Sequence, residues 1–271
     1  MVTFPNCKIN LGLHVLEKRS DGYHNIETVF YPVQLKDALE IIQKGSPGIE
    51  FSLSGLTVEG GPDDNLCIKA YHLIKNDYPD LPAGHIHLHK AIPVGAGLGG
   101  GSSDGAYMLM LLNKKFNLGL SEKQLINYAL QLGSDCPFFI INKPVIATGR
   151  GEILEPLTVN LSAYKLFIVH PEIHIHTSRV YEHIKPSHPT ISIKEIIQQP
   201  LESWKENLTN DFEQSVFSNY PEIKIIKDEL YNAGAIYASM SGSGSTVYGI
   251  FEKTITSVLN LPKKYFVKEI L

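Results

Sequence analysis

The stretch Pro93-Val-Gly-Ala-Gly-Leu-Gly-Gly-Gly-Ser-Ser103 decides how the rest of this 271-residue chain is interpreted. It holds five glycines in seven positions and ends in two serines. Glycine has no Cβ, so its backbone can adopt positive φ and bring successive N–H groups close to an anion. Residues 106–112 are strong helix formers, and the start of a helix favours negative charge. We therefore predict a phosphate-binding loop that opens a helix, in preference to a flexible linker.

The composition is that of an ordinary globular protein, with 43% hydrophobic and 19% charged residues. The net charge of −4 gives no reason to expect a nucleic-acid partner. Three widely spaced cysteines without a C-x-x-C pair predict a reduced, cytoplasmic protein. The N-terminus lacks a basic segment followed by an apolar run, and no apolar stretch reaches the roughly 18 residues of a membrane span. We therefore expect neither a signal peptide nor a membrane span.

Alternating apolar and polar residues predict a first strand over residues 4–16. Pleating places Lys8 and Asn10 side by side on its polar face, where exposure to solvent is the simplest interpretation. Asp21-Gly22 predicts a turn into a second strand over residues 25–33. Tyr23 and His24 follow this turn, and they either tuck onto the body of the protein or receive a flat ligand. The sequence alone leaves both possibilities open.

The middle of the chain predicts further strands at residues 38–43, 49–53, 85–90 and 145–148, and helices that begin after Asn65 and Ser121. Three histidines at residues 85, 87 and 89 would share one strand face, which makes metal binding a minor alternative to solvent exposure. Asp135 falls in a tight break between the second helix and an apolar run. Its carboxylate is either a helix cap or a catalytic group.

A change of composition near residues 155–156 predicts a domain boundary, giving domains 1–155 and 156–271. The sequence of the second domain predicts strands at 164–169, 235–240, 246–252 and 265–270. It also predicts helices over 193–217 and 219–233 and a short helix over 254–259. This order fits a split βαβ, ferredoxin-like fold.

The glycine-rich stretch matches neither common nucleotide motif in its context. Gly95-Ala-Gly-Leu-Gly-Gly100 fits the letters of the dinucleotide pattern, but a second helix follows where that motif needs a strand. In the Walker A register, Gly101 stands where the lysine belongs. Because phosphoryl transfer depends on positioning and charge neutralisation, positive charge must come from elsewhere, and Lys8 with Asp135 and a hydroxyl-bound Mg²⁺ would complete a sufficient set.

These segments resemble the GHMP kinases, the family of galactokinase, homoserine kinase and the mevalonate kinases. The glycine stretch resembles their phosphate loop, and Ser241-Gly-Ser-Gly244 resembles their C-terminal glycine turn. Lys8-Ile-Asn10, Asp21-Gly-Tyr-His24 and Leu132-Gly-Ser-Asp-Cys-Pro137 are similar to the branch that acts on a cytidylyl-linked alcohol. The resemblance implies an α+β, two-domain fold, in which a domain like the second domain of ribosomal protein S5 precedes a ferredoxin-like domain.

The resemblance also implies an activity, in which ATP with Mg²⁺ phosphorylates the 2-hydroxyl of 4-diphosphocytidyl-2-C-methyl-D-erythritol on the non-mevalonate route to isoprenoids. It implies two small-molecule substrates, no nucleic-acid or membrane partner, and a cytoplasmic monomer or homodimer. The implied catalytic residues are Lys8 and Asp135. The implied ATP phosphate site comprises Pro93, Gly95, Gly97, Leu98, Gly99, Gly100, Gly101, Ser102 and Ser103, and the two serines are also the candidate magnesium ligands.

For the second substrate, Asn10 and Gly242 resemble positioning residues, and His24 would hydrogen-bond the edge of the cytosine. Tyr23 would pack on the cytosine ring, and counting onward from His170-Pro171 places Tyr181 on its other side, with Thr177 nearby. The role of Asp104 is open. Three alternatives stand beside this hypothesis: a GHMP kinase for another small alcohol such as homoserine or a mevalonate derivative, a non-catalytic nucleotide-binding module, and a histidine zinc hydrolase.

Overall fold

The structure is a computed structural model that describes residues 1–45, 48–58, 60–182, 184–256 and 258–271. Its residues form two compact units that interleave along the sequence. Unit 1 comprises Met1–Cys7, Gln34–Val94 and Gly99–Lys143, and unit 2 comprises Lys8–Val33, Gly95–Leu98 and Pro144–Leu271. The boundary between residues 155 and 156 is a different division of the chain, and it stays a prediction.

The described residues form twelve strands and nine α-helices. The strands are β1 (Val2–Thr3), β2 (Asn6–Lys18), β3 (His24–Lys36), β4 (Ala38–Gln43), β5 (Ile49–Gly55), β6 (Gly84–Lys90), β7 (Val145–Thr148), β8 (Ile153–Pro156), β9 (Tyr164–His170), β10 (Tyr237–Met240), β11 (Val247–Glu252) and β12 (Phe266–Ile270). The helices are α1 (Leu66–Asp77), α2 (Gly100–Lys115), α3 (Glu122–Leu132), α4 (Cys136–Ile141), α5 (Thr177–Glu182), α6 (Ile193–Ile197), α7 (Trp204–Asn207), α8 (Phe212–Asn219) and α9 (Pro221–Asn232).

Unit 1 joins a four-stranded sheet to a group of helices. The strand order is β1-β4-β6-β5; β5 and β6 run parallel, and the other two recorded pairs are antiparallel. Helix α2 packs against α1, α3 and α4. Local capping starts two of these helices as predicted, because Asn65 accepts a hydrogen bond from the Cys67 amide and Ser121 forms a capping box with Gln124.

Unit 2 holds most of a second four-stranded sheet, ordered β2-β3-β7-β8, and all of a third, ordered β10-β11-β9-β12. Every recorded pairing in the third sheet is antiparallel, and the strand order is that of a ferredoxin-like sheet, as predicted. Helix α9 turns Ile223, Ile226 and Leu230 into the core, where they meet buried side chains of the sheet. Gly234 ends this helix with φ at +98°.

Several sequence predictions need correction. The polar face of the first strand is not exposed, because Lys8 and Asn10 are only 4% and 2% accessible. The helix predicted over 193–217 is broken: Pro200 cannot continue a helix, and a 3-10 turn, α7 and an extended link precede α8. Helix α5 and strand β8 were not predicted.

The short helix predicted over residues 254–259 is not found among the described residues of that segment, and Ser257 lies outside them. Residues 253–254 form a turn instead. The segment is rich in β-branched side chains, which lose rotamer freedom in a helix and so disfavour one.

Candidate functional site

The glycine-rich stretch forms an irregular loop that leads into α2, as the sequence predicts. Gly95, Gly97 and Gly99 have φ of +64°, +78° and +69°, a backbone conformation that residues with a side chain rarely adopt. At Gly97 a Cβ would lie 2.0 Å from the carbonyl oxygen of Ser241, so no other residue fits there. The close approach explains a glycine at this position independently of any ligand, while phosphate binding stays a prediction.

Lys8 brings a buried ammonium group to this loop. Its Nζ atom lies 3.2 Å from the Gly97 carbonyl oxygen and 2.5 Å from Oδ1 of Asn10, and it stands 4.9 Å above the Phe30 ring. The Lys8 amide also donates to the Leu98 carbonyl at 3.0 Å. The first strand is therefore hydrogen-bonded directly to the loop whose sequence contains no lysine.

The C-terminal glycine turn, residues 241–245, closes onto the same loop. Ser241 donates its hydroxyl to the Gly97 carbonyl at 2.8 Å and accepts from the Asn10 amide at 3.2 Å. At Gly242, where φ is +59°, a Cβ would lie 3.2 Å from Oδ1 of Asn10. Lys8, Asn10, Gly97 and Gly242, which the sequence nominated separately, therefore lie together in unit 2.

Asn210 also holds this turn, and the sequence analysis did not identify it. Its buried side chain donates to the carbonyl oxygens of Met240 and Gly242, both at 2.8 Å, and accepts from the Phe212 amide at 3.0 Å. An asparagine just before a helix resembles a simple cap in the sequence. Its two long-range bonds could not be anticipated from local pattern.

A cavity of about 430 Å³ opens elsewhere in unit 2, beside the tip of the β2–β3 hairpin. Four of the predicted substrate-binding residues line it: Tyr23, His24, Thr177 and Tyr181. The remaining lining residues are Lys18, Gly22, Arg150, Ser178 and Glu182. The sequence leaves open whether the Tyr23 ring packs onto the body of the protein or is held out from it. The ring is 56% exposed, so it is held out.

The rings in this cavity already contact one another. His24 stacks on Tyr181 with centroids 4.8 Å apart and planes 23° from parallel, and Phe212 meets Tyr181 edge-on. The Arg150 guanidinium lies 4.9 Å from the Tyr23 ring centroid. Burial lowers the pKa of His24, and the charge of Lys18 lowers it further. A neutral imidazole has one donor and one acceptor nitrogen, which suits the edge of a base.

The first turn of α2, in unit 1, carries the two predicted magnesium ligands. Ser102 is half-buried, whereas Ser103 is fully buried and its hydroxyl has no hydrogen-bond partner among the described residues. Hydroxyl oxygens are hard ligands of the kind that Mg²⁺ accepts, usually together with water and phosphate. The donor chemistry therefore fits magnesium bound with a nucleotide.

Asp104, whose role the sequence left open, belongs to a buried ion cluster. Lys90 Nζ lies 2.8 Å from its carboxylate and 2.5 Å from that of Asp37, which also accepts from the amides of Ala91 and Ile92. Burial raises the pKa of Asp104, and the neighbouring Asp37 charge adds to the rise while Lys90 opposes it. Asp104 therefore anchors the start of α2 to β6.

Asp135 stands immediately before α4, and its side chain makes no capping hydrogen bond. The helix-cap interpretation of this residue is therefore wrong. The catalytic interpretation stays a prediction.

The three strand histidines hydrogen-bond to serines of β5. Ser52 lies within 2.8 Å of a nitrogen of both His85 and His87, and Ser54 within 3.0 Å of both His87 and His89. Within the described ranges no group of three or more histidine, cysteine, aspartate or glutamate side chains is placed to hold a metal ion. Nor does any described helix have the length and apolar character needed to cross a bilayer.

Known proteins resemble the chain over nearly its whole length. Residues 65–143 match the GHMP kinases N terminal domain, and residues 192–263 match the GHMP kinases C terminal model. A Bacteroides thetaiotaomicron protein named 4-diphosphocytidyl-2-C-methyl-D-erythritol kinase is 55% identical over 254 residues, covering 93% of this chain and 92% of that protein.

Solved structures agree. A crystal structure of 4-(cytidine 5'-diphospho)-2C-methyl-D-erythritol kinase superposes with a TM-score of 0.81 at 31% identity, covering 92% of this chain and 90% of that one. A mevalonate kinase superposes with a TM-score of 0.75 at 15% identity, covering 100% of this chain and 98% of that one, a likeness of fold alone. The two domain matches and the high identity lead to one conclusion: the chain belongs to the GHMP kinase family.

Proposed function

We propose that this protein is an ATP-dependent kinase that phosphorylates the 2-hydroxyl of 4-diphosphocytidyl-2-C-methyl-D-erythritol. Membership of the family implies the use of ATP. One observation carries the choice of alcohol: the cavity of about 430 Å³ lined by Tyr23, His24 and Tyr181, in a chain 55% identical to a protein named for that substrate.

The aromatic cavity supports recognition of a cytosine base. The exposed Tyr23 ring offers a stacking surface, and a base stacked on an aromatic side chain gains roughly 1–3 kcal/mol. The neutral His24 imidazole would hydrogen-bond the edge of the base, with Tyr181 and Thr177 completing the cavity. Because His24 stacks on Tyr181 in the structure, we expect His24 to shift aside when the base enters.

Three groups would serve the phosphoryl transfer. The glycine loop, residues 93–103, would hold the ATP phosphates, and the buried Lys8 beside Gly97 would neutralise charge on the moving group. Asp135 would take the proton from the attacking hydroxyl as general base, with Asn10 and Gly242 orienting that alcohol. Such a reaction needs mainly positioning and charge neutralisation, which these groups supply.

Magnesium is proposed as the partner of the nucleotide. The ATP phosphates and water would supply most of its ligands, with the hydroxyls of Ser102 and Ser103 as protein ligands. When bound, the ion would neutralise phosphate charge. We place the enzyme in the cytoplasm, because the three cysteines of the sequence are widely spaced and form no C-x-x-C pair, and the side chains of Cys7, Cys67 and Cys136 are buried.

The decisive experiment measures ADP release with ATP and a panel of alcohols: the cytidylyl substrate, homoserine, mevalonate and phosphomevalonate. We expect kcat/KM to be highest for the cytidylyl substrate by at least a hundredfold. Preference for another alcohol would favour the alternative GHMP kinase, and absence of turnover with binding of nucleotide would favour a non-catalytic module.

A further inference from the structure

We propose that Asn210 is a positioning residue for nucleotide binding, which acts by holding the C-terminal glycine turn against the phosphate loop. The inference deepens the proposed function, and it concerns a residue that the sequence motifs do not include. The contacts from which it is argued all lie within unit 2, which contains residues 95–98 of the loop.

The side chain of Asn210 is fully engaged. It is 3% exposed, and both hydrogens of its amide are directed to backbone carbonyls, those of Met240 at the end of β10 and Gly242 within the turn. Its oxygen accepts from the Phe212 amide. An asparagine is one of the few side chains that can donate twice and accept once from a single planar group.

The segment that carries Asn210 is itself fixed to β2. The Leu13 amide donates to the Thr209 carbonyl at 2.9 Å, and the Asp211 amide donates back to the Leu13 carbonyl at 2.9 Å. The Asp211 carboxylate accepts from the Val15 amide at 2.8 Å. Asn210 therefore ties the glycine turn to the same strand that bears Lys8 and Asn10.

The turn held in this way, together with Thr246 directly after it, reaches the loop through three contacts. Ser241 donates to the Gly97 carbonyl, the Thr246 amide donates to the Ala96 carbonyl at 3.2 Å, and the Ser241 carbonyl fills the space where a Gly97 side chain would stand. The Gly97 carbonyl in turn contacts Lys8. If the turn moved, the loop and the Lys8 ammonium group would no longer be held in fixed positions relative to each other.

The substitution Asn210→Asp tests the inference. It keeps the shape and the acceptor for Phe212, but it removes both donors and directs a carboxylate at two carbonyl oxygens. We expect the dissociation constant for the Mg²⁺ complex of β,γ-imido-ATP, measured by calorimetry, to rise about tenfold to a hundredfold. We expect KM for the cytidylyl substrate to rise as well, because Asn210 also holds the carbonyl of Gly242, one of the residues proposed to orient the alcohol.

Asn113→Asp is the matched control. Asn113 also donates to one backbone carbonyl and accepts from one amide, both of Leu120 at 2.9 Å, but in unit 1 and outside the residues proposed to bind substrate. It should lower the melting temperature while leaving nucleotide affinity within twofold of wild type. All proteins are assayed well below their melting temperatures.

Asn210→Ser is the second variant, which retains one hydroxyl donor without adding charge and so perturbs folding less. An intermediate loss of affinity in this variant supports the positioning role. Wild-type nucleotide affinity in a folded Asn210 variant overturns it, as does an equal loss in the Asn113 control. Because the readout is nucleotide binding, failure of the cytidylyl substrate as an acceptor would refute the proposed function and leave this test intact.

Discussion

The carboxylate of Asp135 directly precedes α4 without capping it, and its proposed task is to accept the proton of the attacking hydroxyl. Replacing it by asparagine keeps the size of the side chain and removes the base. General base catalysis is worth roughly 10²–10⁴ in rate. We therefore expect Asp135→Asn to lower kcat by that factor in an ADP-release assay, with little change in nucleotide affinity.

Asp63→Asn is a suitable control for this substitution, since Asp63 is exposed in the 3-10 turn before α1. It should retain full turnover. Wild-type kcat in Asp135→Asn would remove this carboxylate from the mechanism.

Tyr23 allows a second test at the scale of single residues, because its ring and its hydroxyl can be separated. Tyr23→Ala removes the proposed stacking surface, and at roughly 1–3 kcal/mol per stacked base we expect KM for the cytidylyl substrate to rise about 5–150-fold. Tyr23→Phe keeps the ring and should stay within about threefold of wild type. KM for ATP should be unaffected in both. An unchanged KM for the cytidylyl substrate in Tyr23→Ala would exclude this ring from base recognition.

Among the elements, the glycine loop requires glycine for two reasons, its backbone conformation and the close approach of neighbouring atoms. Gly97 combines a φ of +78° with a backbone oxygen 2.0 Å from its hypothetical Cβ. Gly97→Ala must therefore push the turn at residues 241–245 away from the loop. We expect this variant to lose at least tenfold in affinity for Mg²⁺ and β,γ-imido-ATP, and to melt several degrees lower.

Gly119→Ala separates the effect of backbone strain from the effect of a steric clash. Gly119 has a φ of +70°, but no atom of the described residues would lie within 4 Å of an added Cβ, so alanine there introduces backbone strain without a clash. It should cost about 1 kcal/mol in the free energy of unfolding and leave nucleotide affinity unchanged. If both alanine variants bound nucleotide as the wild type does, the close approach at Gly97 would have no part in binding.

The elements that the sequence predicts well are those fixed by local chemistry. The caps at Asn65 and Ser121 and the positive φ values of the loop depend on residues only a few positions away. The burial of β2 depends on distant partners: the Asn10 amide bonds Ser241, 231 positions along the chain. Contacts between residues far apart in sequence also explain why two further features could not be predicted: Asn210 bonds Gly242, 32 positions away, and the guanidinium of Arg150 lies above the Tyr23 ring.

At the scale of the whole molecule, the chain alternates between its two units, so neither unit is a continuous segment of sequence. Unit 2 receives Lys8–Val33 from the start of the chain and Gly95–Leu98 from the middle, and both contact the glycine turn near the end. Stability and site geometry in this unit are therefore coupled, because the contacts that hold the first strand also place Lys8.

His170 makes that coupling depend on pH. Its side chain is buried at the end of β9, where Nδ1 lies 3.2 Å from the hydroxyl of Ser245 in the glycine turn. Burial lowers the pKa of His170 from an ordinary value of 6.5 to about 4. Between these two pH values the unfolded chain binds the proton and the folded chain does not. Its contribution to stability is thus present above pH 6.5 and is lost as the pH falls towards 4, by up to about 3 kcal/mol.

Urea unfolding from pH 7 to pH 4 measures this contribution, with His170→Gln as a variant that can keep a hydrogen bond to Ser245 but cannot titrate. Protonation of carboxylates also weakens folded proteins in acid, so the relevant quantity is the difference between the two proteins at each pH. We expect wild type to lose about 2–3 kcal/mol more than His170→Gln over this range. The exposed His188→Gln is the control and should follow wild type. Parallel curves for wild type and His170→Gln would mean that the imidazole is protonated in the fold without cost, and that acid unfolding of unit 2 begins elsewhere.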